Sequence, residues 1–459
     1  MSVLRGSSIP RLSSQRSGAA GQGLRIAVDL TYHSGASANR EVIAFTQGLL
    51  ERVYQAMPEI SLLLLVSADS AGEFASLNGP NVQRLRVRRR ASIRRPASPL
   101  RWMARLRDRV QLRGRVRMAL GISPGSTSQG PSTDVRPLQH RPMPPRLRVL
   151  RARRVDLLLC PFMGIGFYER GVPVISVVHD LEFQAYPEFL TPELVEAGRT
   201  AFADACWLAE RLVCSSGHVR DAAFQAGKLP QERVVTIAPS FLVPREAPNR
   251  DFSAATLAEV GLEPGQFLLY ATDFRPKKNH SMLITAFGIY RAQHPQSPLK
   301  LACIGEPDDS AAALREAIQR MGVANSIILT ERVTDIQRAA LLTACRAIVY
   351  PSLYEGSGQP ILDAMARGKP VLCSNTSALP EVVQDAGVYF DPRRPGDIVQ
   401  AIESVTGDDV VLTLSAKVRA RAMALRHEAD EVIQEYLAVF HEVAQLSRRT
   451  LDKQSRQIA

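Results

Sequence analysis

Glu355 and Asp363 stand eight residues apart, with Gly356-Ser357-Gly358-Gln359-Pro360 between them. The apolar run Ala347–Tyr350 meets Pro351 and stops, which reads as a strand ending in a loop. Pro360 suits the first turn of a helix, and that helix would carry Asp363. One carboxylate therefore lies in a loop at a strand's carboxyl end. The second lies on the first turns of the next helix, whose amino terminus faces the same crevice. The backbone N–H groups of Ser357, Gly358 and Gln359, with a neighbouring acid, suit a ligand that carries both phosphate oxygens and sugar hydroxyls.

A second cluster follows the apolar strand Phe267–Ala271, in Thr272-Asp273-Phe274-Arg275-Pro276-Lys277-Lys278-Asn279. Arg275, Lys277 and Lys278 would stand at the same sheet edge and could neutralise phosphate charge, Lys278 foremost. His179-Asp180 closes the apolar strand 172–178, where a neutral imidazole can donate to a sugar hydroxyl or a developing oxyanion. Asp180 would orient that ring or cap the next turn. Gly35 sits in the turn after the first strand and would approach a ligand from a second lobe, or simply make the turn. No Asp-x-Asp metal motif stands at such a site, and Asp308-Asp309 forms no metal constellation by itself.

Two series of alternating elements must hold these loops. In the first, strands at 24–30, 61–67, 81–87, 155–160, 172–178, 212–214 and 234–237 alternate with helices at 39–57, 193–210 and 217–227. In the second, strands Phe267–Ala271, 300–304, 327–329, Ala347–Tyr350 and 371–373 alternate with helices at 279–293, 309–321, 335–344 and 360–367. This alternation predicts two Rossmann-like parallel sheets facing across a cleft, an α/β architecture. The expected boundaries are a flexible tail over 1–22, a first domain over 23–240, a linker over 241–261, a second domain over 262–410, and terminal helices over 411–459 packing back on the first domain. Neither domain has the compact Gly-x-Gly-x-x-Gly turn of a dinucleotide oxidoreductase.

A chain of 459 residues with 45% apolar composition can fill two cores. No apolar run approaches eighteen residues, and the polar start lacks a signal peptide's apolar segment. The six cysteines form no close metal-type pair, so buried free thiols in a reducing, cytoplasmic setting are expected. The net charge of +12 is unevenly distributed. Residues 82–154 hold 21 arginines and only Asp108 and Asp134 as acids, giving +19 and leaving −7 for the remainder. Within this stretch, 88–148 reads as an Arg- and Pro-rich, partly disordered insertion. Arginines with Trp102 could meet an anionic membrane surface at the inner face of the plasma membrane. The scarcity of aromatic platforms argues against nucleic acid.

The segment from Tyr350 to Val382 resembles the donor-site signature of the retaining glycosyltransferase family 4, also called glycosyl transferases group 1, which has the GT-B fold. The resemblance rests on Glu355, Gly356, Gly358, Pro360 and Asp363 and continues through Ala364-Met365-Ala366-Arg367-Gly368-Lys369-Pro370-Val371 to Ser374-Asn375-Thr376-Ser377-Ala378-Leu379-Pro380-Glu381-Val382. It implies a nucleotide-sugar donor with no cofactor and no metal. It further implies catalytic roles at His179, Lys278 and Glu355, and donor contacts from Gly35, Arg275, Lys277, Lys278, Glu355, Ser357, Gly358, Gln359 and Asp363. Glu355 would lie near the donor sugar, and Asp363 would receive the ribose hydroxyls. Glu381 resembles a recurrent acid of the family and would equally serve as a cap for the helix after it. Two positions depart from the pattern: Asp363 replaces glutamate, and Asp273 replaces a phosphate-binding arginine. The activity implied is transfer of a hexose such as mannose or glucose to a glycan or lipid-linked acceptor. A phosphorylase or synthase on the same scaffold, or a non-catalytic sugar-nucleotide binder, is the alternative.

Overall fold

The computed structural model describes residues 23–31, 40–87, 149–239, 249–305, 310–331 and 333–458. The expected tail over 1–22, the turn holding Gly35, the insertion 88–148 and the pair Asp308-Asp309 lie outside the described residues.

The first lobe is a seven-stranded sheet in which every pairing is parallel. Its strands are β1 (Arg25–Leu30), β2 (Ser61–Val66), β3 (Val82–Arg86), β4 (Leu157–Cys160), β5 (Val174–Val178), β6 (Arg211–Cys214) and β7 (Val234–Thr236). Their order is β3-β2-β1-β4-β5-β6-β7, so the chain reverses its direction of winding between β1 and β4. The helices that matter below are α1 (Arg40–Ala56), α2 (Glu182–Ala185), α3 (Pro192–Leu208) and α4 (Gly217–Gly227). The central strands are buried almost throughout, as their continuous Leu, Ile and Val runs require when helices cover both faces.

The second lobe begins with α5 (Arg250–Val260), inside the stretch read as a linker. Asn249 caps it by accepting from the Phe252 N–H, Gly261 ends it in a left-handed conformation, and Leu257 is buried in the second core. The sheet comprises β8 (Phe267–Ala271), β9 (Lys300–Gly305), β10 (Ile327–Glu331), β11 (Ala347–Tyr350), β12 (Val371–Ser374) and β13 (Gly387–Phe390). It is again all parallel, in the order β10-β9-β8-β11-β12-β13. Its helices are α6 (His280–Gln293), α7 (Ser310–Arg320), α8 (Asp335–Ala344), α9 (Gln359–Ala366), α10 (Leu379–Val383) and α11 (Pro395–Ser404). The edge strand β13 was not anticipated. It starts at a glycine and is only partly buried, so it lacks the apolar run that marks the other strands.

The chain ends in one 51-residue helix, α12 (Asp408–Ile458). Leu414, Val418, Ala422 and Leu425 are buried in the second lobe's core. From Ala429 onward the same helix contributes Val432, Ile433, Tyr436, Phe440 and Val443 to the first lobe's core. Burying each such large apolar side chain stabilises by roughly 1.5–3 kcal/mol, so the helix is anchored at both ends of this span. No helix among the described residues is long and apolar enough to cross a membrane. All six cysteines are free, and all but Cys206 are buried.

Candidate functional site

In an open parallel sheet, the strand loops diverge where the winding reverses and leave a crevice at the carboxyl ends. The second sheet reverses between β8 and β11. The loops leaving those two strands carry Lys278 and Glu355. The first sheet reverses between β1 and β4, and the residues facing from that side are Glu41 on α1 and His179 just after β5. Together these elements line a narrow cavity of about 50 Å³.

The two loops of the second lobe are fastened to each other. The Leu353 N–H donates to the Lys277 carbonyl at 2.8 Å, and the Tyr270 hydroxyl donates to the Lys278 carbonyl at 2.6 Å. Asn279, left-handed with φ 61°, sends its amide to the carbonyls of Pro351 and Pro392. This framework sets Lys278 Nζ 2.6 Å from Glu355 Oε1, with side-chain exposures of 2% and 6%. Burial would lower the Lys278 pKa, but Glu355, Glu41 and Asp273 outweigh it and raise the value, so the ammonium is charged.

The other two cations are also paired. Lys277 Nζ lies 2.5 Å from Glu182 of α2, in the first lobe, and both side chains are buried. An acid of the first lobe thus neutralises Lys277, which the sequence offered as a phosphate contact. Arg275 grips Asp273 through two hydrogen bonds of 2.9 Å and lies 3.8 Å from Glu182. Burial alone would raise the Asp273 pKa, but the Arg275 hydrogen bonds and charge, with Lys278, hold it down at about 2. Asp273, which stands where the family pattern has an arginine, thus holds the guanidinium of its neighbour Arg275.

His179 lines the cavity, edge-on to Phe45 with ring centroids 5.4 Å apart. Its Nε2 is 2.9 Å from the Pro161 carbonyl. A carbonyl only accepts, so Nε2 bears the proton and a neutral ring offers Nδ1 as an acceptor. The donor role expected of this ring toward a ligand is already committed to Pro161. Burial lowers its pKa and keeps the ring neutral. Asp180 accepts from the Glu182 N–H at 3.2 Å, so it caps the turn into α2.

Gly356, Ser357 and Gln359 line the cavity, and Gly358 heads α9 in a left-handed conformation with φ 64°. The first N–H groups of α9 have no acceptor within the helix and can serve an anion. The Gln359 side chain reaches the Pro239 carbonyl of the first lobe at 3.0 Å. Asp363 does not line the cavity. Its carboxylate lies 3.5 Å from Arg367, one turn along α9. Glu381 does not cap its own helix. It lies within α10 and accepts from the N–H groups of Gly217 and His218, at the start of α4 in the first lobe.

Sequence reading did not single out Glu41, Phe45, Glu182 or Pro239. Glu41 reaches water in the cleft yet is crowded by protein. That desolvation raises its pKa, with Lys278 opposing and Glu355 adding to the rise. Its position in the first turn of a helix that follows a switch-point strand was the available signal. Among the described residues no group of His, Cys, Asp and Glu could hold a metal ion.

Residues 265–408 match the family model described as glycosyl transferases group 1. O-antigen chain mannosyltransferase B of Escherichia coli is 30% identical over 239 residues, which cover 50% of this chain and 61% of the relative. Serotype-specific mannosyltransferase WbdA of Escherichia coli is 29% identical, covering 52% of this chain and 28% of the relative. D-inositol 3-phosphate glycosyltransferase of Rhodococcus jostii (strain RHA1) is 24% identical, covering 58% and 61%. The match thus spans less than two thirds of each of these relatives. Among solved structures, Anabaena Alr3699/HepE in complex with UDP and glucose superposes with a TM-score of 0.61 at 16% identity, covering 90% of this chain and 100% of that one. WaaG, a glycosyltransferase involved in lipopolysaccharide biosynthesis, gives 0.56 at 12% identity, covering 89% and 99%. Those structural likenesses establish the GT-B fold.

Proposed function

We propose that this chain, a GT-B protein whose residues 265–408 are a glycosyl transferases group 1 domain, transfers a hexose such as mannose or glucose from a nucleotide-sugar donor to a glycan or lipid-linked acceptor in cell-envelope polysaccharide synthesis. The observation that carries this reading is the Lys278–Glu355 pair, set at the second sheet's switch point and facing His179 and Glu41 across one cavity. Lys278, with Arg275 and the amides at the start of α9, would receive the diphosphate, whose charge grows as the sugar leaves. Glu355 would face the sugar and stabilise positive charge at the reacting carbon. His179 Nδ1 would accept from a hydroxyl of donor or acceptor.

Retention of configuration follows from the resemblance of the Glu355–Asp363 segment to its family. The acceptor hydroxyl attacks the face from which the nucleoside diphosphate departs, and the departing phosphate takes its proton. We propose that this transfer needs no metal, because Lys278 and Arg275 line the cavity and would supply the positive charge that the phosphates need. Activity that persists with a chelator supports this, and loss restored by a divalent ion opposes it.

The function is tested by incubating the chain with UDP- and GDP-hexoses and measuring released nucleoside diphosphate. Release that Glu355→Gln abolishes supports transfer. Sugar phosphate formed from a glycan and inorganic phosphate instead would mark a phosphorylase, and nucleotide-sugar binding without turnover a sugar-nucleotide sensor. Location at the inner membrane face is proposed from the +19 stretch at 82–154. Deleting 88–148 should remove binding to anionic liposomes in flotation, and unchanged binding would count against it.

A further inference from the structure

The first turn of α4 is capped from the other lobe. Its cap residue, Ser216, accepts from the Val219 N–H at 3.2 Å, but Gly217 and His218 precede that bond and have no acceptor in their own helix. Glu381 supplies both: Oε2 accepts from Gly217 N–H and Oε1 from His218 N–H, each at 2.7 Å. A carboxylate at this end also meets the positive pole of the helix dipole.

The adjoining residues grip the candidate phosphate loop itself. The Ser216 hydroxyl donates to the Gly356 carbonyl at 2.8 Å. The Ser215 hydroxyl lies 2.9 Å from the same carbonyl and 2.7 Å from that of His179, so its single proton is shared between a loop of each lobe. Contact is so close that a Cβ on Gly356 would stand 1.9 Å from the His179 carbonyl oxygen.

We propose that Ser215, Ser216 and Glu381 form a clasp that holds the Gly356 carbonyl and the start of α4 together and so closes the two lobes on the cavity. They are positioning residues: none of them lines the cavity, and they act through Gly356. The proposal rests on the function proposed above, and it extends that reading to how the site is assembled. Closing brings His179 and Lys278 to one sugar, so the clasp governs turnover more than nucleotide affinity.

The test uses the full chain with Ser215→Ala and Glu381→Ala combined, beside Glu381→Gln, which keeps one acceptor oxygen. Small-angle scattering of the ligand-free protein should give a larger radius of gyration for the double variant. Its kcat with the productive hexose donor should fall by about 100-fold, the scale expected for misplaced reacting groups. UDP or GDP affinity by calorimetry should hold, the thermal midpoint should fall only slightly, as a lost helix cap requires, and Glu381→Gln should recover part of the rate. An unchanged radius and unchanged kcat would overturn the clasp. So would a loss of nucleotide affinity and thermal midpoint in step with kcat, which marks a merely structural role. If the wild-type chain bound no nucleotide and transferred no sugar, the functional reading would fall, while scattering would still decide the clasp.

Discussion

Lys278 and Glu355 belong to loops from two strands that sit side by side in the sheet but 77 residues apart in sequence, and they meet as a buried ion pair 2.6 Å long. The pair has two possible costs of removal, one to folding and one to chemistry, and they separate by experiment. Losing either partner alone strands a charge in the interior and should destabilise by about 3–5 kcal/mol. Lys278→Met with Glu355→Leu should recover most of that stability in denaturant melts. It should not recover transfer, which Glu355→Gln already lowers by at least about 100-fold if the pair acts on the reacting groups. Recovery of transfer in the double variant would make the pair structural.

Arg275 is held by Asp273, so the diphosphate of the proposed donor would have to compete for its guanidinium. Asp273→Asn should free it. We expect UDP or GDP affinity, measured by calorimetry, to rise by about tenfold, or 1.4 kcal/mol. The same variant should lose acid resistance. Asp273 has a folded-state pKa of about 2 against an ordinary 3.8. It therefore contributes stability that is complete above pH 3.8 and is lost as pH falls toward 2. That contribution is on the order of 2 kcal/mol, and an unchanged acid melt would refute it.

His280 opens α6 with both ring nitrogens lacking a partner among the described residues, packed 4.5 Å from the Tyr270 ring and 4.9 Å from that of Phe274. Burial drives its pKa down from 6.5 to about 3, with nearby Asp273 and Lys278 acting in opposite directions. The unfolded chain takes up a proton below pH 6.5 and the folded chain does not until about 3. Stability is thus lost as pH falls through this window, by up to about 1.4 kcal/mol per unit. His280→Phe keeps the aromatic packing and should flatten the melting temperature between pH 6 and 4 by about that slope. A slope equal to wild type would assign the acid loss elsewhere.

Gly356→Ala should fail through sterics alone. The added methyl meets backbone, the His179 carbonyl carbon and oxygen, which cannot rotate aside as a side chain would. We expect each lobe to fold, scattering to report a wider separation, and transfer to drop by about 100-fold. Wild-type activity would show that the lobes need not come this close.

The sequence made most of both sheets legible because their central parallel strands are continuous apolar runs separated by amphipathic helices, which the edge strand β13 is not. The switch-point loops were legible too, since Lys278 and Glu355 directly follow such runs. Other features depend on how distant segments meet. Nothing local to Glu182 tells that it will neutralise Lys277, and nothing local to Glu381 tells that it will cap a helix in the other lobe. Asp363 is a different case. Arg367, four residues on, is a local partner visible in the sequence, and the carboxylate faces it. The stretch 241–261 was read by its prolines, whereas the Asn249 cap and Leu257 make its second half a helix of the second lobe.

The long terminal helix restricts how the lobes can part. This rod is sunk into one core up to Leu425 and into the other from Ala429. Sliding apart would drag apolar side chains into water at one end, so translation is forbidden while the rod stays whole. Swinging about the few residues between those anchors exposes far less. The molecule is thus built as a jaw with a fixed pivot, and substrate entry becomes a matter of angle rather than distance.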